Sequence, residues 1–558
     1  MKILHTFRST VAAIGGSLAA AVAAAVLVSS ATPRFYSDDP VWVEHDTQNI
    51  SSLPDLEVDD VVDLTLNLFE TLGDPTPNVR AKNLNTVDEV PNSSWYTNRL
   101  GYQRITPEEI AIGPDTTTGP ASGRWTVTSS KTDGITPGFT IRDSTGQLWF
   151  LKFDPPGYRA MATGTEVVVT KLMWALGYHV PENHVASLRR EQLVVGEGAT
   201  FEPPGGKRRP MRLADIDMLL GRADRDADGS YRVVASKALT GKPVGRIRFY
   251  DTRPDDPNDV VPHEHRRELR GYRVFAAWVN HVDVKATNSR DMLLTENGRG
   301  FVRHNLIDFG STLGSGGITP REYWEGYEYL VEPREVFKQM AAFGFYFPQW
   351  HTEKLYESRS IGRLPRDNTR FNPERWKPRV PNQAFLRARA DDKFWAAQKL
   401  LAVTDDMLRA AVRTGQFDDP KSEEFLVKAL AERRDAIART YLPAINPVVE
   451  PGLDDTGTLT FRNAAVDAGF AKPPQAYRAV WSTFDNVTGG TQPIGETSAP
   501  TPRIAAPADF PRASNVFIKV DLSASGGPNS SWDKPVHAYF RRENGMWRLV
   551  GFERSAAE

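Results

Sequence analysis

Cysteine is absent from all 558 residues, which excludes disulfides, thiolate zinc sites, a cysteine nucleophile and lipid attachment at a lipobox cysteine. The fold must therefore stand on its apolar core. An excess of one charge is lacking too, since 68 Lys and Arg face 70 Asp and Glu. No stretch is polybasic enough for DNA, and no nucleic-acid partner is expected. Long apolar runs are scarce, and no internal repeat is visible. The one such run, residues 11 to 28, is Ala-rich and uncharged and follows Lys2 and Arg8. Ser29-Ser30-Ala31 places small residues where a signal peptidase cuts, so the run reads as an export signal or an uncleaved membrane tether of bacterial type. Either reading leaves the rest periplasmic or extracellular. With 40% apolar and 25% charged residues, the remainder is ordinary globular protein, long enough for roughly two to four units.

The most informative residues are His281-Val282-Asp283-Val284-Lys285-Ala286-Thr287-Asn288, followed by Asp308-Phe309-Gly310. An Asp-Phe-Gly alone arises by chance, and Asp followed by Asn is often a turn or a cap. In this order and spacing, however, they match the kinase patterns H-R-D-L-x-x-x-N and D-F-G. Phosphoryl transfer needs a carboxylate to accept the proton of the attacking hydroxyl and oxygen ligands to hold Mg²⁺. Asp283 suits the first task, and Asn288 with Asp308 the second. Lys285 is close enough to neutralise charge on the transferred group. Between the motifs, two short apolar runs flank Glu296-Asn297-Gly298-Arg299-Gly300, which predicts a hairpin that brings the motifs side by side.

Upstream, Gln147-Leu148-Trp149-Phe150-Leu151-Lys152-Phe153 reads as a strand, and a lysine inside it is costly unless paired. Apolar residues at 169, 172, 173 and 176 have helical spacing in a segment from 163 to 177, with Glu166 in its first turns. Glu166 reads either as a partner for Lys152 or as a helix-dipole residue. Residues 125 to 143 read as two strands around a turn with Gly134 and Gly138. This is not G-x-G-x-x-G, so the glycines either shape a hairpin or cover phosphates. Residues 231 to 241, with Ser236 and Leu239, read as a strand running into a connector.

On these residues, 125 to about 445 resembles the protein-kinase-like superfamily, nearer its divergent HipA-like and CotH-like branches than ordinary Ser/Thr kinases. The resemblance implies an α+β fold of two lobes, β-rich then helical, with ATP and Mg or Mn in the cleft. It implies Lys152 as the ATP-phosphate lysine, Glu166 as its partner, and Asp283 as base. Asn288 and Asp308 become metal ligands, and the connector with Ser236 and Leu239 becomes the hinge facing adenine. Val282 stands where many kinases have Arg, and no Ala-Pro-Glu follows Asp308-Phe309-Gly310, which argues against control by loop phosphorylation. Residues 311 to 320 read as short and flexible, so the acceptor is open among a small molecule, a sugar and a protein. Nucleotidyl transfer would use the same residues, and a pseudokinase acting as an interaction module is the alternative from another class.

A rival hydrolase reading rests on His263-Glu264-His265, which with His281, Asp283 and Asp308 would make a metal site. The pair instead reads as exposed loop histidines at the start of a helix. Asp224-Arg225-Asp226-Ala227-Asp228-Gly229 opens like an EF-hand, but Ala235 stands where a bidentate Glu is needed, so it reads as a turn. The expected organisation is a signal or anchor at 1–31 and an N-terminal extension at 32–124 with a helix near 58 to 72. An N-lobe at 125–241, a C-lobe at 242–447 and a β-rich appendage at 448–558 follow. Tryptophans 324, 350, 376 and 395 read as packing residues.

Overall fold

A stretch rich in Pro, Asp and Asn cannot bury a core of its own, and residues 32–124 instead lie along the rest of the molecule with short helices that include α1 (Asp60–Asn67) and α2 (Pro107–Ile112). The computed structural model describes residues 32–554 apart from 68–70, 103, 132–135, 204–205 and 344. Helix α1 is shorter than the 58 to 72 expected. Helix α2 starts in a reciprocal capping box between Thr106 and Glu109, which satisfies two otherwise orphaned amides.

The first lobe follows as β1 (Trp125–Ser130), β2 (Gly138–Arg142), β3 (Leu148–Phe153), α3 (Met161–Ala175), β4 (Asn183–Leu188), β5 (Leu193–Phe201), β6 (Arg209–Pro210), α4 (Leu213–Leu220) and β7 (Tyr231–Lys237). The seven strands form one sheet in the order β4-β7-β3-β2-β1-β5-β6. Alternation sorts its faces. Val127, Ile141, Trp149, Leu151 and Phe153 pack on one side with Ile216 and Leu219 of α4. Lys152, offset by one residue, points to the other side, where α3 packs. Helix α3 is buried nearly all round, as expected of an apolar helix held between two layers.

After β7 the chain crosses to a second, smaller sheet. Gly241 marks the crossing with φ 99°, and a Cβ there would lie 2.5 Å from the Leu293 carbonyl, so only glycine fits. Then come β8 (Lys242–Gly245), α5 (Arg267–Trp278), β9 (Ser289–Glu296) and β10 (Arg299–Leu306), the strands ordered β10-β9-β8. The N-terminal stretch seals this sheet. The Ile50 amide donates to Gly300 at 3.0 Å on one edge and the Leu56 amide to Val244 at 3.0 Å on the other. Between them Ile50 and Leu53 pack on Val244, Leu293 and Val302. Covered edges of this kind are protected from pairing with other chains.

The helical lobe adds α6 (Pro333–Ala341), β11 (Leu355–Ser358), β12 (Gly362–Pro365), α7 (Ala390–Leu401), α8 (Asp405–Arg413) and α9 (Pro420–Tyr441). Its core joins Tyr272, Phe275 and Trp278 of α5 to Phe394, Trp395, Leu430 and Ile437. Trp376 and Trp395 are buried in it, whereas Trp324 and Trp350 are only half-buried. Strands β13 (Val448–Leu453), β14 (Thr458–Asn463), β15 (Ala476–Phe484), β16 (Thr491–Ala499), β17 (Arg503–Ala505), β18 (Phe517–Ser525), β19 (Val536–Glu543) and β20 (Met546–Arg554) complete the chain. Five form one antiparallel sheet and three another, and their core is continuous with the helical lobe. The fold is thus α+β and two-lobed, β-rich then helical, with an N-terminal extension and a β-rich C-terminal appendage. Among the described residues no helix is long and apolar enough to cross a membrane; the run from 11 to 28 lies outside them.

Candidate active site

A hairpin brings the two motifs together. Ser289 pairs with Leu306 and Arg290 with Asn305, so Asn288, just before β9, lies beside Ile307, just after β10. The Ile307 amide donates to the Asn288 carbonyl at 3.1 Å. Asn297 and Gly298 both have positive φ, 51° and 76°, as a two-residue hairpin turn requires.

Within the catalytic-loop motif, Asn288 Nδ2 donates to the Asp283 carbonyl at 2.8 Å and to Asp283 Oδ2 at 3.0 Å. This fixes the carboxylate and leaves Asn288 Oδ1 as the oxygen that suits a cation. Lys285 Nζ stands 3.4 Å from Asp283 Oδ1. The loop is braced from outside, because the Thr287 hydroxyl donates to Asp60 of α1 at 2.5 Å.

A second cation reaches Asp283. Arg379 stands 3.4 Å from Asp283 Oδ1 and 2.5 Å from the buried Glu325 carboxylate, and its amide donates to the Val282 carbonyl at 2.7 Å. Val282 itself is core. The positive charge that an Arg before Asp283 would supply thus arrives from a distant segment. Sequence reasoning missed Arg379 because Trp376-Lys377-Pro378-Arg379-Val380-Pro381 is an extended stretch with no periodicity and no motif.

Lys152 links the lobes. Its Nζ lies 2.8 and 2.9 Å from the two Glu166 oxygens and 2.9 Å from Asp308 Oδ1. Burial disfavours the charged ammonium, but Asp308 and Glu166 outweigh it and hold the Lys152 pKa above that of ordinary lysine. Burial likewise pushes Glu166 upward, against the pull of Lys152. Asp308 is only partly buried; what burial it has acts upward, yet Lys152 and Lys131 prevail and hold its carboxyl below the usual range. Lys131, at the end of β1, is a cation of this cluster that the sequence reading passed over.

Local structure explains why these groups meet. Asp154 accepts the amides of Ala160, Ala162 and Thr163 at 2.8 to 3.0 Å, capping α3 from a distance and fixing where Glu166 points. Asp308 adopts φ 63°, a left-handed geometry that costs a non-glycine residue about 1–3 kcal/mol and clusters at functional sites. Phe309 is buried against His281, ring centroids 5.5 Å apart.

The remaining expected positions are placed as follows. Gly138 pairs directly with Lys152 across β2 and β3, and a Cβ there would meet the Leu151 carbonyl at 2.2 Å. Gly134 lies outside the described residues. Ser236 is inside the ladder, opposite Phe150 on one side and Asn183 on the other, so neighbouring strands occupy its backbone. The Lys237 amide still donates to Glu182 and the Ala238 amide to Leu148; Leu239 is the first residue of the connector beyond those bonds.

Two expectations need correction. Residues 311 to 320 are not flexible: Thr312, Leu313 and Ser315 are buried, the Leu313 amide donates to Val279 at 2.6 Å, and Gly314 bridges to Gly362. Glycine and serine signal a loop here, not exposure. His263 and His265 are buried, not exposed. Both nitrogens of each ring are engaged, those of His263 by Arg248 and Asp259 and those of His265 by Asp74 and Arg270, so neither offers a metal lone pair. In the EF-hand-like turn, Asp226 bonds Arg159 and Asp228 bonds Ser230 and Arg189. Asp115, Glu182 and His184 also converge, but Lys171 and Lys237 already neutralise the two carboxylates.

A strand lysine paired to a helix glutamate, a connector to a helical lobe, and a loop Asp and Asn beside an Asp-Phe-Gly are thus brought together in one site. No protein-family model and no curated protein matches the chain. Among solved structures it is similar to the proinflammatory kinase CtkA of Helicobacter pylori, with 12% identity, 54% of this chain and 92% of that chain covered, and a TM-score of 0.26. It is also similar to the Golgi casein kinase, with 10% identity, 60% of this chain and 76% of that one covered, and a TM-score of 0.28.

Proposed function

We propose that this chain is a phosphotransferase that moves the γ-phosphoryl group of ATP to a hydroxyl acceptor, with residues 125–241 and 242–447 as the two lobes of the enzyme. The observation that carries the reading is Lys152 held at once by Glu166 and Asp308 at 2.8 and 2.9 Å. A half-buried lysine this well placed is ready to exchange one carboxylate for phosphate oxygens. Asp308, 38% exposed, and Asn288 Oδ1 form an oxygen donor set suited to Mg²⁺ or Mn²⁺, which would neutralise charge on the phosphates.

In the proposed transfer the acceptor oxygen bonds to the γ-phosphorus, the bond from that phosphorus to the β-bridging oxygen breaks, and ADP leaves. Asp283 takes the hydroxyl proton. Asn288 and Arg379 hold its carboxylate in place, and Lys285 lies at hand for charge on the transferred group. The missing Ala-Pro-Glu argues against control by loop phosphorylation, and the run from 11 to 28 supports export.

The test is calorimetric titration of the full chain with ATP, with and without Mg²⁺ or Mn²⁺, followed by transfer assays with ATP labelled at the γ- or the α-phosphate. Metal-dependent binding that Asp308→Ala abolishes, and γ-label transfer that Asp283→Asn cuts by about 10²–10⁴-fold, are expected. Transfer of α-label instead would make the protein a nucleotidyltransferase. No binding under any condition would make it a pseudokinase.

A further inference from the structure

Helix α6 (Pro333–Ala341) keeps its polar and apolar sides apart, yet buries neither. Lys338 bonds Glu335 at 2.5 Å, and the Tyr346 hydroxyl donates to the same carboxylate at 2.8 Å. On the other side Val336, Phe337 and Met340 share one face, as their spacing requires. All three are exposed, and so, a few residues further along the chain, are Phe343, Phe345 and Phe347. Monomeric proteins rarely leave so many large apolar side chains in water within one short segment, which makes it an apolar patch.

We propose that this patch is a membrane-docking surface that inserts into the interface of a lipid bilayer. The shape of the patch selects that occupant. Phe343 is 90% exposed and Phe345 86%, so each stands clear of its neighbours as a convex tip, whereas residues lining a protein-binding groove are partly shielded by its walls. Charge gives a second reason. Glu335 is neutralised by Lys338, Glu332 by Lys377 at 2.7 Å, and Trp350 Nε1 donates to Glu328 at 2.6 Å. With two of these three carboxylates matched by a lysine, little charge of one sign is left among them to steer a charged protein partner, while insertion of aromatic rings needs none. Tyr346 and Trp350 add side chains of the type that accumulates where lipid meets water. The chain outside the described residues points the same way, because residues 11 to 28 form an uncharged apolar run that brings the protein to a membrane whether as signal or anchor. The surface does not depend on the phosphotransferase reading.

The absence of native cysteine makes the test direct. Full-length protein carrying Phe345→Cys, labelled with an environment-sensitive fluorophore, is titrated with phosphatidylcholine vesicles with and without phosphatidylglycerol. Met546→Cys, at an exposed position of the C-terminal sheet, serves as the control. The expected result is a several-fold, blue-shifted rise at position 345 that saturates with lipid, no comparable change at 546, and loss of the response on adding Phe337→Asp and Met340→Asp. If the protein floats with the vesicles while the label at 345 stays as in water, residues 11 to 28 act alone and the proposal fails. A rise that tracks protein concentration without lipid would also overturn it, in favour of a second copy of the chain.

Discussion

Arg379 is the residue on which the proposed base most depends after Asn288. It contacts Asp283 at 3.4 Å and Glu325 at 2.5 Å, and a planar fork can serve two carboxylates where an ammonium serves one. Arg379→Ala removes that fork and leaves buried Glu325 without its arginine, held by the Glu322 amide, a loss of about 3 kcal/mol that urea unfolding would read. Arg379→Lys is more telling, since it keeps the charge and loses the geometry. Its expected effect is a fall of about tenfold in kcat with ATP affinity unchanged in the same titration. Equal losses in both quantities would assign Arg379 to nucleotide binding instead.

Among the elements, α3 carries the tightest constraint. A Cβ on Gly164 would lie 2.8 Å from both the Gly415 carbonyl and a Phe417 ring carbon, so the helix touches the C-terminal lobe with no room for a side chain. Gly164→Val should force α3 outward and cost roughly 1–3 kcal/mol. Because Glu166 lies two residues on, ATP affinity should fall along with thermal stability. Retained affinity with reduced stability would show that the contact supports the fold and not Glu166. Much at this scale was legible. The strand with Lys152, the helix with Glu166 and the hairpin between the motifs all follow from local periods of two or 3.6 residues and from one Asn-Gly turn. What the sequence hid was burial in stretches without periodicity. Ser311 to Pro320 has loop composition but lies under β12, and His263 with His265 follow a polar loop yet serve as buried hydrogen-bond hubs. Arg379, Lys131 and Asp60 join the candidate site through contacts between distant segments, which no local pattern encodes.

For the molecule as a whole, buried histidines set the acid limit. Burial pushes His281 down to about 4 and His179 to about 3, whereas an unfolded imidazole titrates near 6.5. Between these values the unfolded chain holds the extra protons, so stability falls as the pH drops through that window and is fully present above about 6.5. His281 alone contributes up to roughly 3 kcal/mol of that slope. Urea midpoints from pH 7 to 4.5 should decline, and His281→Gln should flatten the decline. An unchanged slope would mean that His281 is not held neutral.

The docking of Ile50 and Leu56 on the two edges of the β8–β10 sheet also orders events in time. Ile50 cannot settle on its edge until Gly300 has followed it from the ribosome, a wait of roughly 10 to 50 s at ordinary rates of synthesis. Through that interval Ile50 lacks the sheet edge it pairs with. A chain that must be threaded through a narrow channel before it folds gains from that delay.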